Sequence, residues 1–378
     1  MSLRETVSSR WRKIQGELFP WLEEAHGHLT ARHRQLVTVL DMAGIEALVP
    51  GWRGGCGRPP SERAPLARAF VAKAVFNLGT TGALIDRLAV DRALRRLCGW
   101  ERVGEVPSEA TFSRAFAEFA AGAVPLRLHE ALIAATHEDR LVGHISRDST
   151  AIEAREAPVS VPKAEKPKRK RGRPRKGENP PEKEPRRVER QPGMSLGAML
   201  ADLPRHCAIG VKRNAKGHQE TWIGYKLHLD VADGGIPISC VLTAASIHDS
   251  QVAIPLATMT AGRVTSLYDL MDSAYDVPEI KAHSRFLGHV PIIDAHPRSI
   301  PGGKTELEAE AKRRRRVALP TAEDIRFNER TTAERVNGRI KDDFGGRTIR
   351  VRGHDKVLCH LMFGVLALTI DQLIRLVT

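Results

Sequence analysis

The 378-residue chain predicts an α/β protein: a mixed sheet flanked by helices, preceded by an all-helical domain and interrupted by a disordered basic insert. Three observations carry this. Apolar residues recur at helical spacing through the first third, alternating strand-like runs and then further helical patterns fill the rest, and one segment between them is nearly free of large apolar residues. The length allows two or three domains, each with its own core.

In the first third, Leu36, Leu40 and Ala43 form one stripe and Leu84, Ile85 and Leu88 another, with a Gly- and Pro-rich segment at 51–60 between them. Phe112, Ala115, Phe116 and Phe119 share one face of a helix that starts after Pro107. Ser108 can cap its free N–H groups, and Glu109 suits the positive end of the helix dipole. Residues 1–138 therefore read as an N-terminal helical domain.

Residues 139–378 read as a second domain. Residues 141–148 form a short run of strand character ending in Asp148. Ile223, Tyr225, Leu227, Leu229 and Val231 alternate with mostly polar residues, Asp233-Gly-Gly turns the chain, and Ile236, Ile238, Cys240 and Leu242 alternate again, which predicts a hairpin with one buried face. Residues 267–272 form another strand ending in a carboxylate, Asp272, and 290–293 a further one. Helices are expected over 322–344 and 354–377.

Residues 157–193 cannot bury enough apolar surface to offset chain entropy and are expected to be disordered. Within them, residues 163–190 hold thirteen Lys/Arg against five Asp/Glu, so they supply eight of the fourteen net positive charges. The run from Lys168 to Lys176 resembles an AT-hook centred on Arg171, Gly172, Arg173 and Pro174, whose extended Arg-Gly-Arg suits the narrow minor groove of A·T-rich DNA. The plainer reading is a polycation held to any phosphate backbone.

A net charge of +14 and a pI near 9.9 favour a polyanionic partner, nucleic acid before membrane. The most apolar stretch, 358–370, contains His360 and reads as a buried core helix too short to span a bilayer. No signal-peptide pattern opens the chain, so a cytoplasmic location is expected. Five scattered cysteines with no C-x-x-C spacing suggest neither a disulfide framework nor a zinc site, and His206 beside Cys207 adds too little for one.

Two strand-terminal aspartates and a helical glutamate could converge, and hard carboxylate oxygens are what Mg²⁺ prefers. Phe327, Arg330, Glu334 and Lys341 sit at i, i+3, i+7 and i+14, all on one helix face. The bland alternative is a solvent-facing helix with an ordinary Arg330–Glu334 ion pair. His248 and Asp249 follow the hairpin and could support the site from behind its ligands, or be a satisfied loop pair. The run 312–316 reads as a phosphate-facing or exposed helix surface.

The spacing in FNERTTAERVNGRIK resembles the Tyr-Arg-Glu-Lys signature of the DDE transposases of bacterial insertion sequences, with Phe327 in the place of Tyr. DSTAIEA, GYKLHLDVADGGIPI, TAASIHDS, DSAYD and VPSEATFSRAF resemble further segments of that family, so the likeness covers most of residues 65–370. It implies an RNase H-like catalytic domain and metal-dependent DNA cleavage and strand transfer at element ends. Asp148, Asp272 and Glu334 would be catalytic and hold Mg²⁺ or Mn²⁺, two ions in all. Arg330 and Lys341 would hold phosphates, and Phe327 would stack on an unpaired base without the hydroxyl of a Tyr. The partners implied are double-stranded DNA, as terminal inverted repeats and as target, and a second subunit in the DNA complex, with association to the nucleoid following. The rival reading is a catalytically inactive DNA-binding protein of the same ancestry.

Overall fold

The computed structural model describes residues 3–49, 61–137, 140–160, 184–213, 217–297, 300, 302–317 and 322–378. The expected loop at 51–60 and the AT-hook-like core, Arg171, Gly172, Arg173 and Pro174, lie outside the described residues.

Among the described residues eight α-helices come first: α1 (Leu3–Lys13), α2 (Phe19–His26), α3 (Ala31–Ala43), α4 (Arg63–Val75), α5 (Thr81–Val90), α6 (Arg92–Cys98), α7 (Glu109–Ala121) and α8 (Val124–His137). Local chemistry sets their ends. The Thr30 hydroxyl accepts from the His33 N–H, that of Thr80 from Ala83, and the Asp91 carboxylate from Leu94. Ser108 stands at the N-cap of α7 as expected, but its hydroxyl faces that of Thr111 at 3.3 Å and not a free backbone N–H. The stripe of Phe112, Ala115, Phe116 and Phe119 is buried, and the rings of Phe112, Phe116 and Phe119 surround Phe70 of α4.

The rest is a six-stranded mixed sheet with helices on both faces. Its elements are β1 (Leu141–Glu153), α9 (Arg187–Arg190), α10 (Leu196–Asp202), β2 (Ala208–Arg213), β3 (Gln219–Ala232), β4 (Ile236–Ala244), α11 (Ser250–Ala261), β5 (Thr265–Met271), α12 (Pro278–Phe286), β6 (Val290–Ile293), α13 (Gly303–Val317), α14 (Ala322–Asn328), α15 (Thr331–Asp342) and α16 (His354–Arg375). The order is β2-β3-β1-β5-β6, with β2 and β4 sharing the edge of β3 that β1 leaves free. β3 runs antiparallel to β1, β2 and β4, whereas β1, β5 and β6 are parallel. Gly224 of β3 lies tight against β1; a Cβ there would stand 2.1 Å from the Ile152 carbonyl oxygen.

Four expectations need correction. The hairpin is buried on both faces, because helices cover both sides, so His228, Asp230, Ser239 and Thr243 lie inside. The helix expected over 322–344 is broken into α14 and α15: the Arg330, Thr332 and Ala333 N–H groups bond three residues back, and the Thr331 hydroxyl takes the Asn328 carbonyl. The C-terminal end of the segment expected to be disordered is folded: Val188 is buried with Met199, Ile254 and Tyr275, and the Gln191 side-chain amide donates to the Gln251 carbonyl at 2.7 Å. Finally, α16 is 22 residues long, with the length and composition of a membrane span, but it is packed inside the protein. There Phe363 stacks on Phe70 at 5.9 Å, so one core runs from the N-terminal helices into the sheet. Cys98, Cys207, Cys240 and Cys359 are free and buried.

Candidate active site

The parallel register of β1 and β5 ends at Ser146 opposite Leu270. Two residues further along each chain stand Asp148 and Asp272, on the same face of the sheet. Asp272 closes its strand as expected, and its carboxylate accepts from the Ala274 N–H at 2.9 Å. Asp148 does not: β1 continues to Glu153 against β3, and only its pairing with β5 stops. On the covering helix α15, the Asn337 amide donates to Asp148 Oδ2 at 3.0 Å.

A third carboxylate joins them from the start of α11. Asp249 accepts from the Ser149 hydroxyl at 2.8 Å and from Lys226 Nζ at 3.0 Å, with His228 at 3.8 Å. Burial acts to raise its carboxyl, but His228, Lys226 and Ser149 outweigh it and hold the group below its ordinary range. Asp148 lacks such help. Burial, and after it the like charges of Asp272, Asp249 and Glu334, push its carboxyl up to about 6 against the pull of a backbone hydrogen bond. Asp272 is raised by burial first and then by Asp249 and Asp294, with the Ala274 N–H and Arg330 acting the other way. Tyr275, buried with its hydroxyl unpartnered, is shifted far up by burial and then by Asp249, Asp148 and Asp272.

Glu334 lies in the first turn of α15 with a half-exposed side chain, paired with Arg330 Nη1 at 2.9 Å. The guanidinium of Arg330 also covers the Phe327 ring at 5.5 Å. Phe327, Arg330 and Glu334 are thus neighbours, although the helix break puts Phe327 on α14 and Arg330 at the N-cap of α15. Lys341 sits two turns on, about 10 Å along the axis from Glu334. Its half-buried ammonium is lowered by burial and then by Lys212 and Arg347. With Glu334 turned to Arg330, no three His, Cys, Asp or Glu side chains among the described residues stand close enough to hold a metal ion. Asp148 and Asp272 nevertheless pair hard oxygens whose repulsion a divalent cation would relieve, so the chemistry of these two residues suits such an ion.

His248 faces elsewhere, its Nδ1 bonded to the Ser250 hydroxyl at 2.9 Å. Lys226, His228, Tyr275 and Asn337 escaped the sequence reading. Asn337 carried a usable signal, since it lies three residues after Glu334 on the same helix face.

Residues 144–370 match the family described as Transposase DDE domain, and residues 21–118 match one described as Transposase domain (DUF772). The chain belongs to the DDE transposases. The first match runs from β1 to α16 and takes in Asp148, Asp249, Asp272 and Glu334; the second covers α2 to α7. No match was found among curated proteins or among solved structures. As a DDE transposase of an insertion sequence, the protein acts in DNA transposition through an RNase H-like domain, and transposases of this family use divalent metal ions.

Proposed function

We propose that Asp148, Asp272 and Glu334 hold two Mg²⁺ or Mn²⁺ ions and that the protein cuts and joins DNA at the ends of its element there. The observation that carries this reading is the side-by-side placement of Asp148 and Asp272 on parallel strands, partly buried and facing further carboxylates. Bound divalent ions supply Lewis acidity to both the attacking and the leaving oxygens of a phosphodiester exchange. In the first step water attacks phosphorus, the P–O3′ bond breaks and a 3′-hydroxyl is released beside a 5′-phosphate; in the second that hydroxyl attacks a target phosphodiester, the target's own P–O3′ bond breaks and its 3′-hydroxyl leaves.

The chain's own residues bind and orient. Arg330 has a buried Nε without an acceptor, so a DNA phosphate can draw its guanidinium off Glu334 and leave that carboxylate free to turn inward. Phe327, on the other side of Arg330, stacks on a base unpaired at the element end, and Lys341 takes a phosphate further along. Asp249, fixed by Ser149, Lys226 and His228, keeps the floor of the site in place. In the complex two subunits hold two element ends.

The test uses the purified full chain, Mg²⁺ and labelled duplex carrying the element's terminal repeats. Asp148→Asn, Asp272→Asn and Glu334→Gln should each abolish cleavage and spare binding, because an amide keeps the shape but loses the charge. Near-normal cleavage by any one of them removes that residue from the set. The insert is proposed to act as an AT-hook: Arg171→Ala with Arg173→Ala should remove most of the preference for A·T-rich over G·C-rich duplex, and an equal loss on both duplexes would make the segment a plain polycation.

A further inference from the structure

Asn337 is buried at 5% exposure, between Val336 and Ile340, which anchor α15 against the sheet. Its two polar atoms have different fates. Nδ2 donates to Asp148 Oδ2 at 3.0 Å, whereas Oδ1 is buried and has no hydrogen-bond partner. Both ends belong to one amide, so the orphaned oxygen lies beside the carboxylate its neighbour holds. A buried carbonyl without a partner is costly, and structures retain one where something else completes it. Here the surroundings say what that is. Asp148 feels the like charges of Asp272 and Asp249, and an unpartnered hard oxygen on the amide that holds its carboxylate is satisfied by a cation or by a water that a cation carries.

We propose that Asn337 is a positioning residue of the metal site: Nδ2 fixes the rotamer of the Asp148 carboxylate, and Oδ1 takes up the divalent ion or a water bound to it. The proposal rests on Asp148 being a metal ligand. It also ties the glutamate helix to the aspartate strands, since Glu334 and Asn337 are one turn apart on α15.

Mn²⁺ binding to the full-length protein without DNA, followed by electron paramagnetic resonance, tests it, with Mn²⁺-dependent cleavage as a second readout. Asn337→Leu keeps the volume and removes both polar atoms. It should weaken Mn²⁺ binding by roughly 10–100-fold, as loss of groups that orient metal ligands does. Cleavage should recover at high Mn²⁺, so the concentration for half-maximal rate rises while the saturated rate stays near that of the wild type. Asn337→Asp should bind Mn²⁺ at least as well as the wild type, because it restores an oxygen and adds charge. If Asn337→Leu does not fold, Asn337→Ser, too short to span the gap to Asp148, should show the same weakening. Asp148→Asn serves as the reference. Weak Mn²⁺ binding by Asp148→Asn with wild-type binding by Asn337→Leu or Asn337→Ser would overturn the role of Asn337 and leave the metal site standing. Unchanged binding in all of them would overturn both.

Discussion

Arg147 and Asp148 are consecutive on β1 and point to opposite faces of the sheet, and the two faces treat charge in opposite ways. Behind the sheet the Arg147 guanidinium is fully enclosed, yet it meets both oxygens of Asp230 at 2.8 Å, and Asp230 in turn accepts from the Thr260 hydroxyl at 2.6 Å. Asp269 pairs with His289 at 3.3 Å in the same layer. In front, Asp148 and Asp272 are only partly buried and face other carboxylates. The rear face has completed its own electrostatics; the front face awaits positive charge from outside. The contrast separates a structural charge cluster from a functional one without reference to sequence motifs.

The comparison breaks most visibly from behind. Arg147→Ala leaves Asp230 buried without its cation and should destabilise the protein by about 3–5 kcal/mol, measured by urea denaturation. A loss under about 1 kcal/mol would mean that water or another group replaces the guanidinium. In front the sign reverses. The Asp148 carboxyl is raised to about 6 in the folded protein, so between its unfolded value and that point the native state binds the extra proton. The contribution of this group to stability should therefore fall as pH rises from about 4 to about 6, by roughly 2–3 kcal/mol at most, and level off above. Asp148→Asn should flatten that slope, and Mg²⁺ at neutral pH should raise the melting temperature of the wild type but not of this variant. An Asp148→Asn variant whose stability follows the same pH profile as the wild type through that window would sink the assignment. At the rim, where solvent screens charge, effects shrink: Lys341→Ala should lower the salt dependence of DNA binding by about one unit of slope. Phe327→Ala should slow cleavage more than it weakens binding, with a loss of about 1–3 kcal/mol in stacking. An unchanged cleavage rate would rule out a stacked base.

The front face was the more legible of the two. Asp272 closes a strand, and Glu334 stands in a patterned helix, both visible as local features of the sequence. The rear cluster was not, because Arg147, Asp230 and Asp269 are far apart in sequence and fall at positions that alternation marks as polar and outward. Alternation could not tell that helices cover both faces, so Lys226 and His228 were taken for solvent-facing residues although they surround Asp249. The break before α15 is a local change to bonds three residues back, joined by the Thr331 hydroxyl on the Asn328 carbonyl, which helical periodicity does not register. The stripe of α7 was legible because a whole face repeats, while the folded end of the insert depends on few apolar anchors, Val188, Met194 and Met199.

The shared core has a consequence in time. His129 of α8 meets Thr369 of α16 at 3.2 Å, a contact between residues 240 apart in the chain. At a synthesis rate of about 5–20 residues per second, α16 emerges roughly ten seconds to a minute after the helices it completes. During that interval Phe70 and Phe116 lack the ring of Phe363 against which they close. The nascent chain thus carries a sticky aromatic surface until its late helix arrives, a window in which a holding chaperone has something to grip.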